Sequence, residues 1–195
     1  MEPRAQLTKA QFDAIPIDED PIYGYYQLLI AENERIFPIT NAPHHSRDNE
    51  LTHGQRVLFY VATFDGQVNN GGIVQFLWNE PELVLPVEAA IRVLGQDPLL
   101  HQYQKVLDTF FERRDRWLEL RKDWVDGGTN PPMAAFQSSY HLLDLGWFDH
   151  LYYDKHGHDD LGHRIILRHG LQYSLQHQLA DYVAMNWTDF IADGA

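Results

Sequence analysis

Apolar residues recur at helical spacing along most of this chain, and the breaks in that pattern divide it into segments. The pattern predicts a first helix over 21–35, which follows the acidic opening Asp18-Glu19-Asp20, and a loop over 36–49. Further helices are predicted over 50–65, 73–78, 86–94, 98–125, 133–145, 147–153 and 171–186. Only 164–167 has the composition of a strand. We therefore predict an all-α fold, a single-domain multi-helix bundle spanning 1–195.

The segment 98–125 is predicted to form one long central helix of about 40 Å. At 100° per residue its carboxylates fall in one narrow stripe that we expect to face solvent, namely Asp108, Glu112, Asp115, Glu119 and Asp123. Residues 97–126 contain seven acids and six bases, a net of −1. A solvated face with ion pairs such as Glu112–Arg116 is therefore favoured over a row of phosphate-like charges. Arg114 and Arg121 are predicted to project toward the apolar side, where each could pair with a C-terminal carboxylate.

Two asparagines and two glycines in succession, Asn69-Asn70-Gly71-Gly72, separate the helices predicted over 50–65 and 73–78. Both residue types tolerate positive φ, and Asn can cap the helix that follows. The sequence therefore predicts a helix-turn-helix corner, with Gln75 just after it. Two roles remain open for the corner: its amides hold two helix ends together, or they bind a ligand directly.

This corner resembles the signature of the DNA mimic protein 19-like family of small acidic bacterial proteins, on the residues Val68, Asn69, Asn70, Gly71, Gly72, Gln75, Phe76, Trp78 and Asn79. The similarity continues through Leu94-Gly95 and reappears at 147–152 and in the helix before Asn186. It covers about 50–190, and 1–49 is then an N-terminal helical extension. Ile73 stands where the family usually has Phe. The resemblance implies an all-helical homodimer that occupies the DNA-binding surface of a transcription regulator.

The net charge of −13 and the pI near 5.1 limit the possible partners. Such a charge repels phosphate backbones and anionic lipids, which argues against direct nucleic-acid or membrane binding. It can attract a basic protein, such as a DNA-binding regulator or a toxin that an immunity protein neutralises. Acidity for solubility alone remains open. The N-terminus has no signal-like layout and the longest apolar stretch, 57–62, is too short for a bilayer, so we expect a cytoplasmic protein.

The excess negative charge lies at the two ends of the chain. Residues 1–35 hold seven acids and three bases, a net of −4, and residues 127–195 hold eight Asp and three bases, a net of −5. We predict that a basic partner contacts carboxylates of these regions, namely Asp18, Glu19, Asp20, Asp144, Asp149, Asp154, Asp159 and Asp160. The alternative is that these Asp residues serve helix caps and turns.

Histidines suggest a second class of function, a metal-binding enzyme or sensor. Seven of the 11 lie within 141–177, and His156, His158 and His163 flank Asp159-Asp160. The spacing matches no helical zinc pair, so solvated loop histidines are favoured and no metal or cofactor is predicted. The chain has no cysteine, no nucleophile elbow, no phosphate-binding loop and no dinucleotide fingerprint. We therefore predict a protein that is not an enzyme.

Overall fold

The computed structural model describes residues 8–14, 51–126 and 133–191, with side chains up to Lys122 in the second range. The predicted helix over 21–35 and its acidic opening at Asp18, Glu19 and Asp20 lie outside these residues. Most of the described chain is helical, which confirms the predicted all-α class. Within these ranges no helix combines the length and the apolar composition that a membrane span needs.

Eight helices and one hairpin follow one another along these ranges. The helices are α1 (Lys9–Asp13), α2 (His53–Asn79), α3 (Val84–Val93), α4 (Asp97–Glu112), α5 (Arg114–Asp126), α6 (Met133–Leu143), α7 (Gly146–Tyr152) and α8 (Leu171–Met185). Strands β1 (Lys155–His158) and β2 (Arg164–Arg168) pair antiparallel between α7 and α8. The predicted strand over 164–167 is therefore present, and β1 is its unpredicted partner.

Helix α2 consists of two helical segments that meet at the Asn-Gly corner, so the predicted interruption between the helices over 50–65 and 73–78 is confirmed. The first segment continues past its predicted end at Asp65, and the backbone leaves helical geometry at Gly71 and Gly72. The bend is sharp, because Phe64 and Phe76, twelve residues apart, make ring contact at 5.2 Å. Its N-terminus is closed by a capping box between Thr52 and Gln55. Asp189 ties the end of the described chain to this N-terminus, because its Oδ2 accepts the N–H of Gly54 at 2.6 Å.

The prediction of one long central helix over 98–125 is wrong. The chain leaves helical geometry at Arg113 (φ −105°, ψ 8°) and forms α4 and α5 instead. The Arg113 guanidinium donates to the carbonyl oxygens of Leu142 and Leu143, at the C-terminal end of α6. A cation is favourable there because the last carbonyls of a helix lack partners. Helix α4 packs into the core, and α5 packs against α6.

Aromatic side chains form the centre of the core. Phe64 is fully buried and makes edge-to-face contacts with Phe76, Tyr103 and Tyr152, at centroid distances of 5.2, 5.5 and 5.6 Å. These rings join α2 to α4 and α7. Such pairs contribute roughly 0.5–1.5 kcal/mol each beyond their burial. The core thus fixes the middle of α2, immediately before the corner.

Candidate functional site

The Asn-Asn-Gly-Gly corner is a kink within α2. Gly71 has φ −165° and ψ 27°, and Gly72 has φ 79° and ψ 178°. The positive φ expected from the glycines is therefore found at Gly72. The expectation that an asparagine caps the next helical segment is wrong. The cap is Asp149 of α7, whose Oδ1 accepts the N–H of Ile73 at 2.8 Å.

Two tyrosines bond the backbone carbonyls on the other side of the kink. The Tyr140 hydroxyl donates to the carbonyl oxygen of Gly71 at 2.6 Å, and the Tyr153 hydroxyl donates to that of Val68. Carbonyls at an interrupted helix end need such partners when they are shielded from water. Burial, with a smaller contribution from the charge of Asp149, raises the pKa of Tyr140 and raises that of Tyr153 to about 12. Both hydroxyls therefore remain protonated donors at neutral pH.

A buried carboxyl lies one helical turn before the asparagines. Asp65 accepts hydrogen bonds from the Tyr152 hydroxyl at 2.5 Å and from the side-chain amides of Gln172 and Gln176 at 2.8 and 3.1 Å. Gln172 also donates to Oδ1 of Asn69 at 2.9 Å. Burial above all, and then the Asp65 charge, raise the pKa of Tyr152 well above its usual range. The cluster joins α2 to α7 and α8.

Gln75 links the two halves of α2 across the kink. Its side-chain amide donates to Oε1 of Gln67 at 3.1 Å, and Asn79 donates to the same oxygen at 2.8 Å. Asn70 is exposed. Of the two roles left open by the sequence, these contacts support the structural one. The partners of the corner are distant in sequence, and the one local signal is Asp65, an acid that stands between the apolar Phe64 and Val68.

Three of the predicted partner-binding aspartates make hydrogen bonds inside the fold. Asp149 caps Ile73, and Asp154 accepts the N–H of Gly170 at 2.7 Å. Asp159 accepts the N–H groups of Leu161 and His163 in the β1–β2 turn; the His163 bond above all lowers the pKa of Asp159. This is the cap-and-turn role that the sequence left as the alternative.

Asp144 and Asp160, by contrast, are exposed and have no ion pair within the described ranges. As partner contacts, the five C-terminal aspartates stay predictions. The pairing predicted for Arg121 is not found, since its Nε donates to the carbonyl oxygen of Trp78 at 3.1 Å and the guanidinium lies over the Trp117 ring. Arg114 is exposed, against its predicted direction.

The carboxylate stripe of α4 and α5 faces solvent as predicted, as far as its side chains are described. Asp108, Glu112, Asp115 and Glu119 are all exposed. The predicted Glu112–Arg116 pair is wrong, because Arg116 pairs with Glu119 at 3.3 Å. In the part of the chain that the structure covers, Asp108, Glu112 and Asp115 have no ion pair. We call these three residues the acidic stripe.

Three histidines of the histidine-rich region lie on the β1–β2 hairpin. His156, His158 and His163 are exposed, and Nδ1 of His163 lies 3.2 Å from Oδ2 of Asp159. Among residues 8–14, 51–126 and 133–191, no three His, Asp or Glu side chains are placed to hold a metal ion. The geometry therefore offers the metal hypothesis no support.

Glu80, at the end of α2, should make stability depend on pH. Burial, with a contribution from Glu82 that outweighs the opposing Arg121, raises the pKa of Glu80 from 4.5 to about 7. The folded protein then binds a proton that the unfolded chain releases, so stability falls as pH rises from about 4.5 through about 7. We expect a loss of about 1–2 kcal/mol after solvent screening is allowed for.

Urea unfolding at pH 4.5 to 8 measures this effect. The Glu80→Gln variant should lose that part of the pH dependence and be more stable than the wild type at pH 8. Glu112→Gln, which changes an exposed carboxylate, is the matched control and should keep the wild-type profile. Parallel profiles for the wild type and Glu80→Gln would contradict the assignment.

Comparison with known proteins gives one finding that fits this architecture. The family model described as DMP19-like protein matches residues 49–183, which includes the kink, its cap and the Asp65 cluster. Neither the search of curated proteins nor that of solved structures finds a match. Because the family model covers well over half of the chain, this chain belongs to the DMP19-like protein family.

Proposed function

We propose that this protein is a non-catalytic cytoplasmic binding module that occupies the basic, DNA-contacting surface of another protein, such as a transcription regulator. Family membership is consistent with this role. The observation that carries it is the exposure of the acidic stripe on α4 and α5 without ion pairs among the described residues. Arg113 and Arg121 bond backbone carbonyls inside the fold, and Arg116 pairs with Glu119. Lys105, Arg114 and Lys122 are exposed in the same segment.

The spacing of the carboxylates in the acidic stripe resembles, in part, the spacing of phosphates along one strand of DNA. Asp108 and Glu112 are one helical turn apart, about 6 Å along the axis. One strand of B-DNA carries a phosphate about every 3.4 Å along its axis. On α4 the stripe thus offers about half the linear charge density of a strand. Asp115 follows on α5, after the break at Arg113.

The acidic stripe should dominate partner affinity. Proteins that bind the wild type are first captured at low salt. Each captured protein is then titrated with the wild type and with the triple variant Asp108→Asn/Glu112→Gln/Asp115→Asn. At about 0.5–1 kcal/mol for each exposed charge, the triple variant should bind roughly 10- to 150-fold more weakly. Wild-type binding should also weaken steeply between about 0.05 and 0.3 M salt, because the charges are exposed.

The matched control removes three charges elsewhere, in Asp144→Asn/Asp160→Asn/Asp181→Asn. It should bind nearly as well as the wild type. A larger loss in the control would move the interface to the C-terminal aspartates, and equal losses would indicate an effect of net charge alone. Capture of only neutral or acidic proteins would contradict the proposal, whereas capture of a basic toxin would redirect it to an immunity role.

We also propose that two copies associate through the β1–β2 hairpin. Leu161, Ile166 and Leu167 are 79%, 49% and 57% exposed, and every residue of β2 is exposed. A lone two-stranded sheet is marginally stable in water, so a further partner would stabilise it. The hairpin also adds little repulsion between two acidic chains, since residues 155–168 hold three bases and two acids, a net of +1.

Sedimentation equilibrium tests this association. The wild type should be a dimer at micromolar concentration, and Ile166→Asp/Leu167→Asp should be a monomer, because buried carboxylates would oppose an apolar interface. The control Leu85→Asp changes another exposed leucine (54% exposed) and should remain dimeric. A monomeric wild type would exclude the hairpin interface.

A further inference from the structure

An open groove lies between the first turns of α2 and the face of α3 that packs on them. It has a volume of about 310 Å³. Its walls are His53, Arg56, Val57 and Tyr60 from α2, and Pro86, Ala89, Ala90 and Val93 from α3. Both sets have the spacing i, i+3, i+4, i+7, so each is one continuous face of its helix. The groove is remote in sequence from both the corner and the acidic stripe.

The groove is apolar along its length. Val57 and Ala90 are each only 3% exposed and form its floor, whereas Val93 is 44% exposed and forms part of its rim. The small side chains of α3 leave the space open, since Ala89 and Ala90 stand where larger residues would fill it. A volume of this size is at the lower end of that found for small-molecule sites.

Arg56 gives the groove one cationic side. Arg56 is half-buried as a residue, and its guanidinium makes no hydrogen bond or ion pair among the residues that the structure describes. Arg113 and Arg121, the other half-buried arginines of the described ranges, both bond backbone carbonyls. A guanidinium with unused donors beside an apolar surface is suited to a carboxylate, which it can bind through two parallel hydrogen bonds.

We propose that this groove binds a small amphipathic carboxylate, such as a medium-chain fatty acid. The carboxylate pairs with Arg56, with His53 beside it, and the alkyl chain lies along Val57, Tyr60 and Ala90. Burial of the chain supplies most of the affinity, and Arg56 selects for the anion. The site is independent of the proposed partner-binding surface, because it shares no residue with it.

The experiment titrates the full-length protein with octanoate and follows amide chemical shifts by NMR. Octanoate should bind with a sub-millimolar Kd and shift residues of the groove. Octanol, which has the same chain length without the charge, should bind at least about tenfold more weakly, and butyrate should bind more weakly still because it buries less surface.

Two variants and their controls locate the site. Arg56→Gln should raise the Kd for octanoate at least about tenfold and leave octanol binding unchanged. Ala89→Trp should abolish the binding of both octanoate and octanol, because the larger side chain fills the groove from its rim. Arg114→Gln and Ala184→Trp make the same changes at exposed positions elsewhere and should bind as the wild type does. Unchanged unfolding midpoints show that the variants are folded.

The proposal would be overturned by an absence of octanoate binding to the wild type. It would equally be overturned by shifts confined to residues outside the groove, or by octanoate binding that Arg56→Gln leaves unchanged.

Discussion

Gly72→Ala is expected to destabilise the fold by about 3–5 kcal/mol, or to prevent folding altogether. At φ 79° and ψ 178° Gly72 occupies a region that is essentially restricted to glycine, at a cost of about 1–3 kcal/mol for other residues. A Cβ added there would lie 2.4 Å from Oδ2 of Asp149. The carboxylate would have to move, and the cap on Ile73, which is typically worth about 1 kcal/mol, would be lost with it. Urea unfolding monitored by circular dichroism gives the free energy.

Gly95→Ala separates backbone strain from the steric clash. Gly95 also has a positive φ, 66°, but no atom lies within 4 Å of the position of an added Cβ. Gly95→Ala should therefore lower the free energy of unfolding by only about 1–2 kcal/mol. In a double-mutant cycle, Gly72→Ala and Asp149→Ala should be clearly less than additive, because each disrupts the same cap. Equal losses for Gly72→Ala and Gly95→Ala would show that Asp149 imposes no constraint at the kink.

Asp65→Ala is expected to cost about 2–4 kcal/mol. The substitution removes the acceptor for the fully buried Tyr152 hydroxyl and for the amides of Gln172 and Gln176. A buried donor without a partner costs about 1–3 kcal/mol, and the two partly exposed glutamines can recover some bonding with water. Urea unfolding at neutral pH measures the change.

The matched control is Asp181→Ala, an exposed aspartate on α8, which should change stability by less than about 0.5 kcal/mol. Asp65→Asn keeps one acceptor oxygen and should have an intermediate cost. If Asp65→Ala were as mild as the Asp181 control, the cluster would be incidental to the fold.

The acidic stripe shows how far the sequence could inform the candidate site. Its solvent-facing side follows from helical periodicity and was confirmed for Asp108, Glu112 and Asp115. Its freedom from ion pairs among the described residues could not be predicted. Arg113 turns toward Leu142 and Leu143, about thirty residues later in the chain, and Arg116 pairs with Glu119 rather than with Glu112. A count of charges along one segment cannot show which of them point inward.

The Asn-Asn-Gly-Gly corner likewise has one feature that the sequence predicts and one that only the packed chain supplies. The glycines predicted a positive φ because only residues without a Cβ adopt it readily, and Gly72 does so. The cap came from Asp149, 76 residues away, and not from the neighbouring asparagines. Local preference identifies where a helix is interrupted. It does not identify the group that accepts the N–H left without a partner, because any acceptor brought close by packing can do so.

By itself the sequence determined the helical class, most helix boundaries and the place of the kink, because these depend on side chains within a few residues of one another. The tertiary structure decided that the first segment of α2 continues past Asp65 to the corner and that the predicted long helix breaks at Arg113. It also decided that Asp149, Asp154 and Asp159 bond backbone N–H groups inside the fold. Each of these outcomes depends on a polar group finding its partner across the fold. Buried backbone groups must be satisfied, and only the packed chain sets which side chains are within reach.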